Sequence, residues 1–203
     1  MGGLGYRLSW QVLDASRYGV GQRRERIFCV GVRDDLADAG MSFSFPEPDD
    51  HVTTLREALA GCPRSEGASY SERKRRVLDL VPPGGCWVDL PKDVMDDYVG
   101  GANRKGGGLR GMARRMEWDA PCLTLTTSPS QKVTERCHPD ETRPFTIREY
   151  ARIQSFPDDW EFMGGVGASY RQIGNAVPVK LARRVGEALA GMLSGDRGGD
   201  GDA

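Results

Sequence analysis

Three short stretches carry residue types that could do chemistry. Gln22-Arg23-Arg24-Glu25-Arg26 lies immediately before the apolar run Ile27-Phe28-Cys29-Val30. On a strand, alternate side chains share a face, so Arg24 and Arg26 are expected to project together while Glu25 points away, free to pair with Arg23. Two guanidiniums on one face form a planar, many-donor grip for a phosphate or a base carbonyl; the competing reading is a solvated charged loop. Gly174-Asn175-Ala176-Val177-Pro178 stands at the expected N-terminal edge of the last helix. Gly there permits close backbone approach, Asn offers a donor and an acceptor, and the free N–H groups of a helix start favour a carboxylate; the plain alternative is a helix entry capped by Asn. In the third stretch, Arg143 to Asp158, an amphipathic helix is expected to pack Ile147, Tyr150, Ala151 and Ile153 inward. Arg148, Glu149 and Arg152 are left to form ion pairs, the arginines bracing a neighbouring loop rather than meeting a substrate.

Thiol and metal chemistry find less support. The five Cys (29, 62, 86, 122 and 137) are odd in number and free of CxxC spacing, which fits reduced intracellular thiols better than a disulfide frame. Cys137-His138 has only His51 as a further His, so no zinc ligand set can be assembled and no metal is expected. Cys122 follows Pro121, yet nothing adjacent supplies a base, and it reads as packing.

These residues must be positioned by an unusual mixture of regular and irregular chain. Two strands, Tyr6–Val12 and Arg26–Val32, are expected around the turn Tyr18-Gly19-Val20-Gly21. A short helix over 53–59 has Thr53 or Thr54 to cap it and Gly61 with Pro63 to end it. From Cys62 to Met116 the pattern weakens into a poorly regular insert punctuated by Pro82-Pro83-Gly84-Gly85 and Gly106-Gly107-Gly108. Pro121–Thr127 is strand-like, and Thr146 to Gln154 reads as a helix opened by a Thr146/Glu149 capping box. A final helix runs from about Pro178 to Leu193. Gly195 to Ala203, rich in Gly and Asp, has little to bury and reads as part of a disordered tail. With 28 basic against 29 acidic groups the chain is near neutral, but cations cluster at 73–76, at Arg104-Lys105 and on through Arg110 to Arg115. No apolar run approaches the roughly 18 residues of a membrane span and no leader opens the chain, so a cytoplasmic address is expected.

Taken in order, these signals resemble one family, the DNA cytosine-5 methyltransferases, and in particular their C-terminal portion. Tyr18 to Arg26 is similar to the family's QRRxR motif, Pro82 to Trp87 to the proline-glycine stretch of its target-recognition domain, and Pro121 to Thr127 to the Thr-Leu element closing that domain. Arg143–Asp158 and Tyr170–Pro178 resemble the last two motifs. The resemblance implies an α/β fold: part of an S-adenosylmethionine-dependent, Rossmann-like methyltransferase domain (1–46), a small, mostly irregular recognition domain (47–143), the last two motifs (144–192) and a tail (193–203). It also implies transfer of a methyl group from S-adenosylmethionine to C5 of cytosine in double-stranded DNA, with the base turned out of the stack.

The roles it implies are these. Arg26 holds the O2 edge of the extruded cytosine, and Arg24 is its structural partner. Gln22 opens the motif, and Thr124 and Leu125 position the recognition domain on DNA, Thr124 near the target phosphate. Asn175, Ala176 and Val177 close over the methionine end of the cofactor, and Arg148 and Arg152 organise the recognition domain. Arg104, Lys105 and Arg110, in a Gly-rich setting, are expected on phosphates. The family's Phe-x-Gly-x-Gly cofactor loop, Pro-Cys-Gln nucleophile loop and Glu-Asn-Val motif do not occur in these residues. A second polypeptide carrying them is therefore expected, the alternatives being a late boundary in a longer gene or a remnant that binds DNA without chemistry.

Overall fold

The computed structural model describes residues 4–99 and 111–195. The expected pair of strands forms as β1 (Tyr6–Asp14) and β2 (Glu25–Arg33), an antiparallel hairpin in register from Tyr6 opposite Arg33 to Asp14 opposite Glu25. Asp14 closes it: one carboxylate oxygen accepts from Ser16 N at 3.2 Å and from Arg24 N at 3.1 Å, which fixes the turn leaving β1 and the approach to β2. A short helix, α1 (Asp34–Asp38), follows directly. Because successive residues face opposite ways, the hairpin has two unlike faces. Leu13 and Phe28 join Tyr18, Val20, Leu181 and Val185 in a packed cluster. Tyr6, Leu8, Trp10, Val12 and Ile27 lie on the other face, with Trp10 67% and Ile27 68% exposed.

The largest core joins chain segments distant in sequence. Helix α2 (Leu55–Leu59) begins at Thr54, whose capping box with Glu57 is complete, and α5 (Ile147–Ile153) begins at Thr146 with the expected Glu149 box. Leu55 and Leu59 pack with Ile147, Tyr150, Ala151 and Ile153 and with Tyr170 and Ile173 of α6 (Val166–Asn175). Tyr150 and Tyr170 meet edge to face at 4.9 Å. The last helix, α7 (Val179–Ser194), ends at Gly195, whose positive φ of 71° is the left-handed conformation glycine adopts most readily.

The insert departs from expectation. Its middle carries α3 (Glu72–Leu78) and α4 (Lys92–Val99), which pack with Val81, Leu90, Met112 and Cys137 into a separate small core. Ser71 caps α3 by accepting from Lys74 N. In the charged run 73–76, Arg73, Arg75 and Arg76 form this helix's outer surface while Lys74 turns inward to Glu135; the run hid the helix because only Val77 and Leu78 of it are buried. Conversely, Pro121–Thr127 is not a strand. It makes a single parallel bridge, Cys122 with Gln22, because its remaining partners are side chains rather than another extended backbone. Residues 193–194, expected in the tail, complete α7. Arg104, Lys105 and Arg110 lie outside the described residues. No helix among the described residues is long and apolar enough to cross a membrane.

Candidate functional site

The chemistry-bearing stretches converge on one clasp, and its centre is Arg24. This residue precedes β2 rather than lying in it, so it turns inward while Arg26 stays half-buried. The Arg24 guanidinium donates to Leu125 O at 2.9 Å and to Gly174 O at 2.8 Å, binding the 122–126 segment to the end of α6. Burial, and then the neighbouring Arg26 charge, lower its pKa to about 10, which still leaves it protonated at neutral pH. Gln22, fully buried, accepts from Leu125 N at 2.6 Å, and the Thr124 hydroxyl donates to Arg23 O at 2.8 Å.

These contacts correct several expectations. Arg24 and Arg26 do not form one outward-facing grip, since Arg24 is committed to two backbone carbonyls. No ion pair within the described residues joins Arg23 to Glu25. Gln22 and Leu125 are 0% exposed, so they fix the loop and cannot themselves touch a DNA strand as the chain stands. Thr124 has its one hydroxyl hydrogen bound to Arg23 O, which orients Arg23 rather than leaving Thr124 as a free donor.

The turn after α6 is also built differently from its sequence reading. Asn175 closes α6 instead of opening α7. The first N–H groups of α7 are occupied: Val179 N donates to Gln154 O at 3.1 Å and Lys180 N to Ser155 Oγ at 3.0 Å. Ser155 holds a left-handed φ of 60° to do so. A carboxylate at that helix start would have to displace these bonds. Gly174 does permit close approach, but to the protein's own chain, where an added Cβ would lie 2.5 Å from Thr126 O. Asn175 and Val177 remain exposed and Ala176 half-buried, forming a surface turn directly beyond the carbonyl that Arg24 holds.

The arginines of α5 brace loops, as their sequence suggested. Arg148 donates to Pro157 O and Trp160 O, each at 3.0 Å, and Arg152 pairs with Asp158 while reaching Ala60 O at 2.5 Å. Two buried hubs had no sequence signal. Arg115 serves Leu78 O, Val81 O and Thr142 Oγ1 at 2.7 to 2.8 Å. Glu135, 0% exposed, accepts from Tyr98 OH at 2.7 Å and Ala113 N at 2.5 Å and pairs with Lys74 at 2.6 Å. Their side chains look like any other surface charges in sequence; only the fold buries them. Burial pushes the thiols of Cys62 and Cys137 up to about 11 and that of Cys122 up to about 12, so at neutral pH these three are poor nucleophiles. No group of three or more His, Cys, Asp or Glu suited to a metal occurs among the described residues.

Residues 1–191 match the family described as C-5 cytosine-specific DNA methylase. The chain belongs to that family. It is 59% identical over 191 residues to the type II methyltransferase M.Sau96I of Staphylococcus aureus, and 51% identical over 198 residues to M.Eco47II of Escherichia coli. These alignments take in 94% of the chain but only 44% and 47% of the relatives, so it spans about half the length of the curated methylases it matches. Among solved structures, a DNA modification methyltransferase encoded within an E. coli prophage aligns with a TM-score of 0.61 at 22% identity, covering 94% of this chain and 62% of that one. The Spodoptera frugiperda DNMT2 mutant aligns at 0.53 and 14% identity, covering 92% and 58%. At such low identity these likenesses speak for the methyltransferase fold alone, which agrees with the fold class the resemblance implied. Within this methylase fold, the QRRxR stretch, the Thr-Leu element and the turn ending in Val177 meet at the single guanidinium of Arg24.

Proposed function

We propose that this chain is the C-terminal portion of a DNA cytosine-5 methyltransferase, supplying part of the catalytic site and the DNA-reading region, and that a second polypeptide or a preceding segment supplies the rest. The observation that carries this reading is the Arg24 clasp. Arg24 feels the charge of half-buried Arg26 and binds Gly174 O, the carbonyl just before the exposed turn Asn175–Val177; Arg26 gives one N–H to Glu25 O at 2.6 Å and keeps further donors for a pyrimidine O2. In this reading Arg26 polarises the extruded cytosine, Arg24 positions Arg26, and Asn175, Ala176 and Val177 flank S-adenosylmethionine. The cofactor supplies an electrophilic methyl group. The turn fits one side of such a site, with an exposed amide and an exposed apolar side chain, but it supplies no full binding set. The attacking thiolate comes from outside this chain, consistent with the raised thiols described above.

Residues 47–143 would read DNA, with the core between Val77 and Cys137 as their rigid base and Arg104, Lys105 and Arg110 on phosphates. The partner is supported by the uncovered outer face of the hairpin and by the half-length match to relatives. An intracellular, DNA-associated setting follows from that role.

The test is to combine the chain with a polypeptide carrying the remaining family motifs and to follow tritium from labelled S-adenosylmethionine into duplex DNA. Transfer is expected in the pair and absent from either part. Arg26→Ala should lower it by roughly 100-fold or more, with duplex affinity nearly unchanged, as for a group that acts in the transition state. Duplex binding without transfer in any combination would leave a DNA-binding remnant instead.

A further inference from the structure

A cleft of about 130 Å³ opens where the QRRxR loop meets the small core, lined among others by Arg23, Gly84, Arg114, Glu117 and Leu123. Two of its arginines differ from the buried arginines among the described residues, Arg24, Arg115 and Arg136, each of which donates to a backbone carbonyl. Neither Arg23 nor Arg114 makes a side-chain hydrogen bond or ion pair with a described residue; the buried Nε of Arg114 lacks an acceptor, as do those of Arg24, Arg136 and Arg184. Arg115, one residue on and in the same wall, spends its guanidinium on backbone carbonyls and on Thr142.

The backbones carrying the two unpaired groups are nonetheless fixed. Arg23 N donates to Cys122 O at 2.8 Å and Arg23 O accepts from Thr124 Oγ1 at 2.8 Å; Arg114 O accepts from Cys137 N at 2.9 Å. Gly84 adopts a φ of 76°, and a Cβ there would come within 3.1 Å of Glu117 Oε2, so glycine keeps this wall open and leaves the carboxylate on its rim. Two guanidiniums without a partner among the described residues, against one carboxylate, leave the cleft cationic. Rigid backbone with unspent donors is what preorganised anion binding requires.

We propose that this cleft seats one backbone phosphate of the DNA strand, gripped between Arg23 and Arg114. The inference rests on the DNA-binding reading above and deepens it. It gives a role to Arg23, a QRRxR residue to which the resemblance assigned none, and to Arg114, outside the motifs; both line the cleft, one from the catalytic-domain loop and one from the reading region. A phosphate held there would register the two parts on the same strand. Since a phosphate carries no sequence information, the contact positions the strand and does not select among sequences.

The experiment measures duplex affinity of the full chain, alone and with its complementary polypeptide, between about 50 and 300 mM salt, for wild type and for Arg23→Ala, Arg114→Ala, Arg114→Lys, Glu117→Gln and Arg183→Ala. Each phosphate contact contributes about 0.9 to the slope of log affinity against log salt. Arg23→Ala and Arg114→Ala should therefore each flatten the slope by about that amount and weaken cognate and unrelated duplexes alike, roughly 3- to 10-fold near 0.1 M salt. Arg114→Lys keeps the charge and should keep the slope. Glu117→Gln should tighten binding, because it removes a repelling carboxylate. Arg183→Ala, which loses only an ion pair with Glu187 on α7, should change the slope less than either cleft variant. Unaltered slopes with normal wild-type binding would overturn the cleft while leaving the functional reading intact. Weakening confined to one sequence, or loss of affinity in Glu117→Gln, would overturn the phosphate assignment in favour of base contact. Absence of wild-type binding in both preparations would remove the functional reading and the cleft together. Unchanged melting temperatures in the variants exclude misfolding as the cause.

Discussion

The clasp around Arg24 and the outer face of the β1–β2 hairpin lie a few residues apart in sequence and are opposites physically. In the clasp, buried side chains bind backbone across the fold, Gln22 to Leu125, Arg24 to Leu125 and Gly174, and Gln154 Nε2 to Ile173 O at 2.9 Å, while Gln22 Nε2, Arg24 Nε and Gln154 Oε1 stay buried without a partner among the described residues. On the hairpin face, apolar atoms stand in water, Trp10 and Ile27 above all. Burying a charged group is favourable only when its donors are satisfied, and exposing a contiguous apolar face is favourable only when something covers it. The chain is thus self-sufficient in joining its reading region to its last helices, and insufficient in covering its sheet. On the proposed reading, that contrast separates the part of the site built within these residues from the part supplied by the complementary motifs.

The sharpest way to break the comparison is to remove the clasp. Arg24→Ala takes away two charge-assisted bonds and leaves Leu125 O and Gly174 O buried without that donor. The expected cost is about 3 kcal/mol, a fall of roughly 6 to 12 °C in melting temperature for a chain of this size. Arg24→Lys should recover little, since an ammonium lacks the fork that spans two carbonyls. A melting temperature within 2 °C of wild type in either variant would show the clasp to be incidental.

The hairpin should respond in the opposite sense. Trp10→Ser with Ile27→Thr removes apolar surface that the folded chain does not bury, so its stability should change by less than about 0.5 kcal/mol and its self-association should fall. Binding to the complementary polypeptide should weaken by at least about tenfold, because each large side chain covered in an interface contributes roughly 1.5 to 3 kcal/mol. Sedimentation of the chain alone and of the mixture measures both. Unfolding of the variant chain, or unchanged pairing, would erase the distinction between the two regions.

How far this contrast could be read in sequence depended on whether the deciding partner was local. The hairpin, the Thr146/Glu149 capping box and the extent of α7 were legible because alternation, caps and helical spacing act within a few residues. Helix α6 was missed although Val166, Tyr170 and Ile173 have helical spacing, because Gly174-Asn175 reads as a helix beginning when it is an end. The segment 121–127 imitated a strand through its Leu-Thr alternation, yet Gln22, 103 residues away from Leu125, took its backbone hydrogen bond. For the same reason Arg24 and Arg26 of the motif looked equivalent: that Arg24 is interior and Arg26 is not depends on Gly174 and Leu125. Glu135 and Arg115 were invisible as hubs, since their partners are scattered from Lys74 to Thr142.

The smallest effect concerns acid. The clasp's own side chains, Gln22, Arg24 and Gln154, hold their protonation between pH 4 and 8, so acid should loosen the molecule first at α5. There His138 is buried, with Nδ1 accepting from Asp140 N and Glu141 N at 3.2 Å and Nε2 4.0 Å from Glu149. Burial, then the Arg143 charge, hold the imidazole below its usual pKa. Burial would raise Glu149, but its pair with Arg143 at 2.7 Å and its bond from Thr146 N outweigh this and hold it low. Both folded-state values are depressed, so both contributions are complete above the unfolded values and are lost on acidification. The His138 part is lost as pH falls below about 6.5, and the Glu149 part below about 4.3. Urea midpoints should therefore be flat from pH 8 to 7, decline through pH 6 to 5, and fall again near pH 4. His138→Gln should abolish the first decline and leave the second. A first decline that survives this substitution would move the acid-sensitive point away from α5 and weaken the claim that the clasp is the region indifferent to pH.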